Sequence, residues 1–168
     1  MKRGNPGCNG RGTSPAGSND LTPVEIGIED VPDLFTVRTA TRENALSRQQ
    51  LSALGIDESS VIRMLETSHR GWLCRDGSRV VGFAMGNGLT GEMWVVAVLP
   101  EYEGRGIGRA LLGRVEAYLR SRGRSRLWLT TDVDPSLRAY GFYRRCGWRD
   151  WKIASGLRYM KKTAANRM

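Results

Sequence analysis

With 168 residues the chain has enough length for one well-buried core and too little for two ordinary domains. Its formal charge of +9 calls for an anionic partner such as nucleic acid, a membrane surface or a phosphorylated cofactor, although arginine-rich codon usage would give the same surplus. Cys8, Cys74 and Cys146 make an odd count without metal-ligand spacing, and His69 is the sole histidine, which excludes a disulfide framework and a zinc site and points to a reducing cytoplasm.

Residues 1–20 are rich in Gly, Asn, Pro and Ser and are expected to be a flexible N-terminal segment; they lack the apolar stretch of a signal peptide. No apolar run is long enough to span a bilayer, so the protein reads as soluble. Val24, Ile26 and Ile28 alternate with polar residues and Gly27, as in a half-buried strand. Asp30-Val31-Pro32 then signals the N-terminus of a helix whose inner stripe is Leu34, Val37 and Thr41, with Arg38 and Arg42 one turn apart on one face. Two short helices are expected between Leu46 and Leu65, broken at Gly55-Ile56-Asp57, with Asp57 or Ser59 capping the second.

Three strands follow as an antiparallel meander: Gly71 to Arg75, Arg79 to Gly86 after the Asp76-Gly77 turn, and Glu92 to Val98. Ile107, Leu111, Val115 and Leu119 mark an amphipathic helix that ends at Arg122-Gly123. Arg126 to Thr131 reads as a strand, Ser136 to Arg145 as a helix, and Trp148 to Ile153 and Leu157 to Lys161 as a final pair of strands, leaving 164–168 as a short tail.

The unit that carries chemistry is a strand ending at Val98, a short turn, and the loop Glu103-Gly104-Arg105-Gly106-Ile107-Gly108-Arg109 at the start of a helix. Glycines there leave backbone amides uncovered where unpaired N–H groups and the helix dipole favour an anion, and a pyrophosphate suits such a cradle. A dinucleotide fingerprint starting at Gly104 would need glycine where Arg109 stands, and no Gly-Lys pair exists for a nucleotide P-loop. Pro100 ends strand pairing after Val98, so an exposed edge near the loop is available to an extended arm.

The stretch Val96-Ala97-Val98-Leu99-Pro100-Glu101-Tyr102 followed by this loop resembles the central motif of the GCN5-related N-acetyltransferases: Gln or Arg, two residues, Gly, one residue, Gly or Ala. Gly106 and Gly108 match, and Glu103 departs from the usual Gln or Arg. The stretch from Ser136 through Tyr143 to Gly147-Trp148 resembles the family's second motif, with Ser136 where relatives carry Asn. Together the two motifs cover roughly Glu92 to Trp148.

The resemblance implies an α/β (α+β) fold over residues 21–163, a mixed, largely antiparallel sheet of six to seven strands flanked by about four helices. It implies acetyl-CoA as co-substrate, no metal, and an amine acceptor. Val96, Ala97 and Val98 would face the acetyl and pantetheine end, Gly104, Arg105, Gly106, Ile107, Gly108 and Arg109 would surround the pyrophosphate, and Ser136 would make part of the contact made by Asn in relatives. Tyr143 would protonate the departing thiolate, and Glu92, at the start of the strand leading to Val98, would be the general base, with Asp132 and Asp134 the other carboxylates near the site. Acceptor choice would lie between Asp30 and His69, where Arg38, Arg42, Glu43 and Asn44 suit an acidic or zwitterionic acceptor or a solvated helix face. Two other readings stand beside this one: a basic nucleic-acid-binding module, against which the scattered arginines argue, and a CoA-binding sensor without catalysis. No membrane partner is expected, and a homodimer is left open.

Overall fold

The computed structural model describes residues 20–164; the N-terminal segment through residue 19 and the tail from residue 165 lie outside the described residues. Seven strands form one sheet in the order β1-β2-β3-β4-β5-β7-β6: β1 (Val24–Glu25), β2 (His69–Asp76), β3 (Arg79–Asn87), β4 (Glu92–Val98), β5 (Arg126–Asp132), β6 (Arg149–Ala154) and β7 (Leu157–Thr163). All neighbours run antiparallel except β4 and β5. Five helices accompany it: α1 (Val31–Arg38), α2 (Arg48–Ala53), α3 (Glu58–Thr67), α4 (Ile107–Ser121) and α5 (Arg138–Arg145). Among the described residues no helix is long and apolar enough to cross a membrane.

Helix α4 buries Ile107, Leu111, Leu112, Val115 and Leu119 against the sheet, and two glycines set how close it lies. A Cβ on Gly82 would meet Ile107 and Leu111 at 3.3 Å, and one on Gly86 would meet Val115 at 2.5 Å, so this face of β3 must be bare for the helix to seat. Phe83 and Met85 alternate with these glycines and face the other way, towards α1. Beyond the core, Glu116 on α4 accepts from Trp148 Nε1 at 2.9 Å and from Lys162 Nζ at 2.8 Å, tying the helix to β7 and to the turn after α5.

Several expectations change at element ends. The first strand stops at Glu25, because Gly27 opens a 3-10 turn over Ile28–Asp30 and leaves Ile28 exposed. Asp30 makes no side-chain cap on α1; its buried carboxylate accepts from the Gly27 N–H at 2.8 Å and pairs with Arg75 on β2, anchoring the helix start to the sheet. Helix α1 ends at Arg38, so Thr41 and Arg42 lie in the following loop rather than on its face. Asp57 caps α3 as expected, through the Ser60 N–H, and Ser47 caps α2 in the same way. Ser136 precedes α5 instead of opening it: its N–H and Oγ both donate to Asp134 Oδ1, at 2.9 and 2.7 Å, and the helix begins at Arg138.

Candidate active site

The site follows from a break in the sheet. Strands β4 and β5 pair only at Glu92↔Trp128 and then diverge, while β3 stays paired with β4 as far as Val98. A bulge in β4 at Trp94, between Met93↔Gly86 and Val95↔Met85, bends the strand at the point of divergence. Backbone groups of Val95 to Val98 that point towards β5 therefore have no ladder partner and face a cleft of about 720 Å³.

The cleft runs from this bulge to the start of α4. Gly104 (φ 75°) and Gly106 (φ 80°) take left-handed conformations, and Gly106 caps α4 without any side-chain hydrogen bond. The first helical N–H groups thus lack a side-chain acceptor and point out of a glycine-lined turn, which is the condition for an anion site. Arg109 in the first turn of α4 and Arg145 in the last turn of α5 also line the cleft. Among the described residues no group of three or more His, Cys, Asp or Glu side chains converges to hold a metal ion.

Of the residues singled out in the sequence, Val96, Ala97, Val98, Gly104, Gly106, Ile107, Gly108, Arg109 and Tyr143 line this one cleft. Arg105, Ser136 and Glu92 lie outside its lining. Arg105 stacks on the Tyr102 ring, 4.7 Å from its centroid, and donates to the Glu101 carbonyl. Ser136 is turned to Asp134. Glu92 sits half-buried at the last β4–β5 pair, where burial raises its pKa. Tyr143, only 9% exposed, packs against Phe142 and Trp148, and burial pushes its phenol up to about 12.

Glu103 has a defined place. Its Oε2 lies 3.1 Å from Arg42 Nε and 3.4 Å from Arg138 Nη1, and the side chain is 17% exposed. Glu43 Oε2 accepts from the Arg138 N–H at 2.8 Å. These contacts join the loop after α1, the glycine loop and the start of α5 across the cleft. Sequence reading did not reach Arg138, Arg145, Trp94, Thr130 or Cys146 as lining residues; Arg138 and Arg145 had a signal in flanking the second motif's helix, whereas Thr130 enters only because β5 splays away.

A mixed sheet split between two parallel neighbours, with a glycine-lined helix start closing one end of the split, defines a domain built to hold an extended, anionic molecule. The model of the acetyltransferase (GNAT) family matches residues 33–148, and the chain belongs to that family. Mycothiol acetyltransferase of Arthrobacter sp. (strain FB24) is 39% identical over 66 residues, which are 39% of this chain and 20% of that protein. The [ribosomal protein bS18]-alanine N-acetyltransferase of Haemophilus influenzae is 31% identical over 80 residues, covering 46% of this chain and 53% of that protein. The matches thus span between a fifth and about half of these relatives' lengths. Among solved structures, the PaiA N-acetyltransferase from Thermoplasma acidophilum in complex with coenzyme A superposes with a TM-score of 0.72 at 18% identity, covering 86% of this chain and all of that one. The ribosomal-protein-S18-alanine N-acetyltransferase from Escherichia coli gives 0.65 at 18% identity, covering 88% of this chain and 97% of that one. At these identities the structural matches speak to the fold.

Proposed function

We propose that the protein is an N-acetyltransferase that uses acetyl-CoA, with no metal, and acetylates a primary amine of a small molecule or protein by direct attack in a ternary complex in the cytoplasm. The observation that carries this reading is the single cleft in which the unpaired edge of β4, the uncapped start of α4 and Tyr143 meet. Acetyl-CoA bound there supplies an activated thioester that an amine can attack. The amides of Gly104 to Arg109 and the Arg109 guanidinium hold the pyrophosphate, and the free edge of Val95 to Val98 holds the pantetheine arm as an added strand. N–H groups of the same edge donate to the carbonyl oxygen on which negative charge develops.

Tyr143 donates its O–H to the departing sulfur. A phenol near 12 gives its proton to a thiolate of ordinary pKa about 8.5 only uphill, by roughly 5 kcal/mol. Tyr143 therefore stabilises the thiolate by hydrogen bonding in the transition state, and the sulfur ends protonated by the second proton that the attacking nitrogen loses as the amide forms. Glu92 takes the first proton, from the acceptor's ammonium, through a relay of waters, since it stands at the closed end of the split and outside the cleft lining; its raised pKa brings it closer to the working range of a base. The test is a calorimetric titration with acetyl-CoA and a CoA-release screen over amines. Binding at micromolar concentration and turnover of at least one amine are expected; absence of acetyl-CoA binding overturns the proposal.

A further inference from the structure

The cleft has two sides with different electrostatics. Five arginines line it: Arg38, Arg42, Arg109, Arg138 and Arg145. Arg42 and Arg138 both pair with the one Glu103 carboxylate. Arg109 and Arg145 belong to α4 and α5, the side assigned above to the pyrophosphate. Arg38 is on the opposite side, as the last residue of α1, the helix that covers the Phe83 and Met85 face of the sheet. Its guanidinium is half-buried and donates to the Asn44 carbonyl at 2.9 Å, while no carboxylate oxygen among the described residues lies within 4.0 Å. Burial lowers its pKa with no anion to offset the desolvation. Asn44, whose carbonyl Arg38 holds, takes a left-handed conformation (φ 53°) that turns the loop back on this guanidinium. A partly desolvated cation facing a cleft with donors to spare is a receptor for an anion.

The other wall is acidic. Asp132 ends β5 and lines the cleft. It alternates with the core residues Leu127 and Leu129, and so shares the strand face of Trp128 and Thr130. Asp132 lies on β5 beyond the Glu92↔Trp128 pair, where that strand has splayed from β4, and it lines the same cleft as Val96, the expected acetyl end. One Asp132 oxygen accepts the Asp134 N–H at 2.8 Å, and no cation lies within 4.0 Å of the other among the described residues.

We infer that the acceptor is a primary amine bearing a carboxylate near its reactive nitrogen, the carboxylate held by the Arg38 guanidinium and the ammonium received by Asp132 on the facing strand. This rests on the acetyl-transfer reading. It narrows the acceptor from any amine to amino-carboxylates, either free amino acids or short peptides that present an acidic group beside the amine.

The test uses the wild-type chain, acetyl-CoA and matched pairs of acceptors: α-, β- and γ-amino acids and dipeptides with acidic side chains, each against its amide. The amides carry more free amine at neutral pH, so intrinsic reactivity runs against the expected result. Charge-assisted hydrogen bonds of this kind are worth roughly 10- to 100-fold, so kcat/KM for at least one carboxylate should exceed that of its amide by about tenfold or more. Arg38→Gln should collapse that ratio towards one, chiefly through KM. If acetyl-CoA binds and the amides match their acids, or no carboxylate is acetylated, the inference is overturned while the acetyltransferase reading stands. If acetyl-CoA itself does not bind, that reading fails first. The wild-type comparison decides the matter even if Arg38→Gln does not fold.

Discussion

Glu103→Gln isolates the one residue of the glycine loop that departs from the family pattern. In the structure its carboxylate is shared between Arg42 and Arg138, each with 57% of its side chain exposed. Exposed ion pairs contribute about 0.2–1 kcal/mol each, so the substitution should cost about 1 kcal/mol of stability and lower Tm by roughly 3 °C. Its effect on acetyl-CoA binding has the opposite sign. Glu103 precedes the Gly106 cap by three residues, and a carboxylate roughly 8 Å from a phosphate charge repels it by about 0.5 kcal/mol in a water-like dielectric and about 2 kcal/mol at an effective dielectric near 20. Taking about 1 kcal/mol, and two arginines released towards the same anion, Glu103→Gln should tighten acetyl-CoA binding roughly fivefold. Calorimetry at low and at elevated salt reads both points, since the gain should shrink as the Debye length falls. Weaker binding in the variant would refute the reasoning, because it would mean that Glu103 serves the cofactor by bracing the loops and that its charge is immaterial.

Other substitutions probe the frame. Gly106→Ala places a Cβ in open space but at φ 80°, so about 1–2 kcal/mol of backbone strain should appear in chemical denaturation together with weaker acetyl-CoA binding. Gly86→Ala drives a methyl group to 2.5 Å from Val115 and should cost about 1–3 kcal/mol by pushing α4 off the sheet. The Tyr143 phenol is raised from 10 to about 12, so between those pH values the native state keeps a proton that the unfolded chain releases, and stability falls as pH rises; comparing denaturant melts of wild type and Tyr143→Phe at pH 9.5 and 11.5 should show wild type losing about 2 kcal/mol more than the variant. Burial pushes the Cys74 thiol up to about 11, so mass-spectrometric mapping of alkylation near pH 8 should find it protected until the chain unfolds.

Local chemistry was legible in the sequence where residues act on near neighbours. The glycines at 104, 106 and 108 and the periodicity from Ile107 to Leu119 locate the anion cradle and its helix without any tertiary information. The Asp76-Gly77 turn and the three-strand meander follow from alternation in the same way. What stayed hidden depends on partners distant in the chain. The insertion of β7 between β5 and β6, the loss of pairing after Glu92↔Trp128, and the capture of Glu103 by Arg42 and Arg138 have no local signal. Two of the misplaced features, the missing Asp30 cap and the late start of α5, share a physical cause, in that a polar side chain found a stronger partner than the expected cap. Asp30 is taken by Arg75 and Gly27, and Asp134 takes the Ser136 donors that would have opened α5.

The most direct test of the account is a single-turnover measurement on Tyr143→Phe, with acetyl-CoA binding followed by calorimetry in the same preparation. Loss of the phenol O–H should leave acetyl-CoA affinity within about twofold of wild type and slow acetyl transfer by roughly 100-fold or more. Transfer at the wild-type rate would contradict the account, because Tyr143 would then be a core aromatic beside a cleft that works without it.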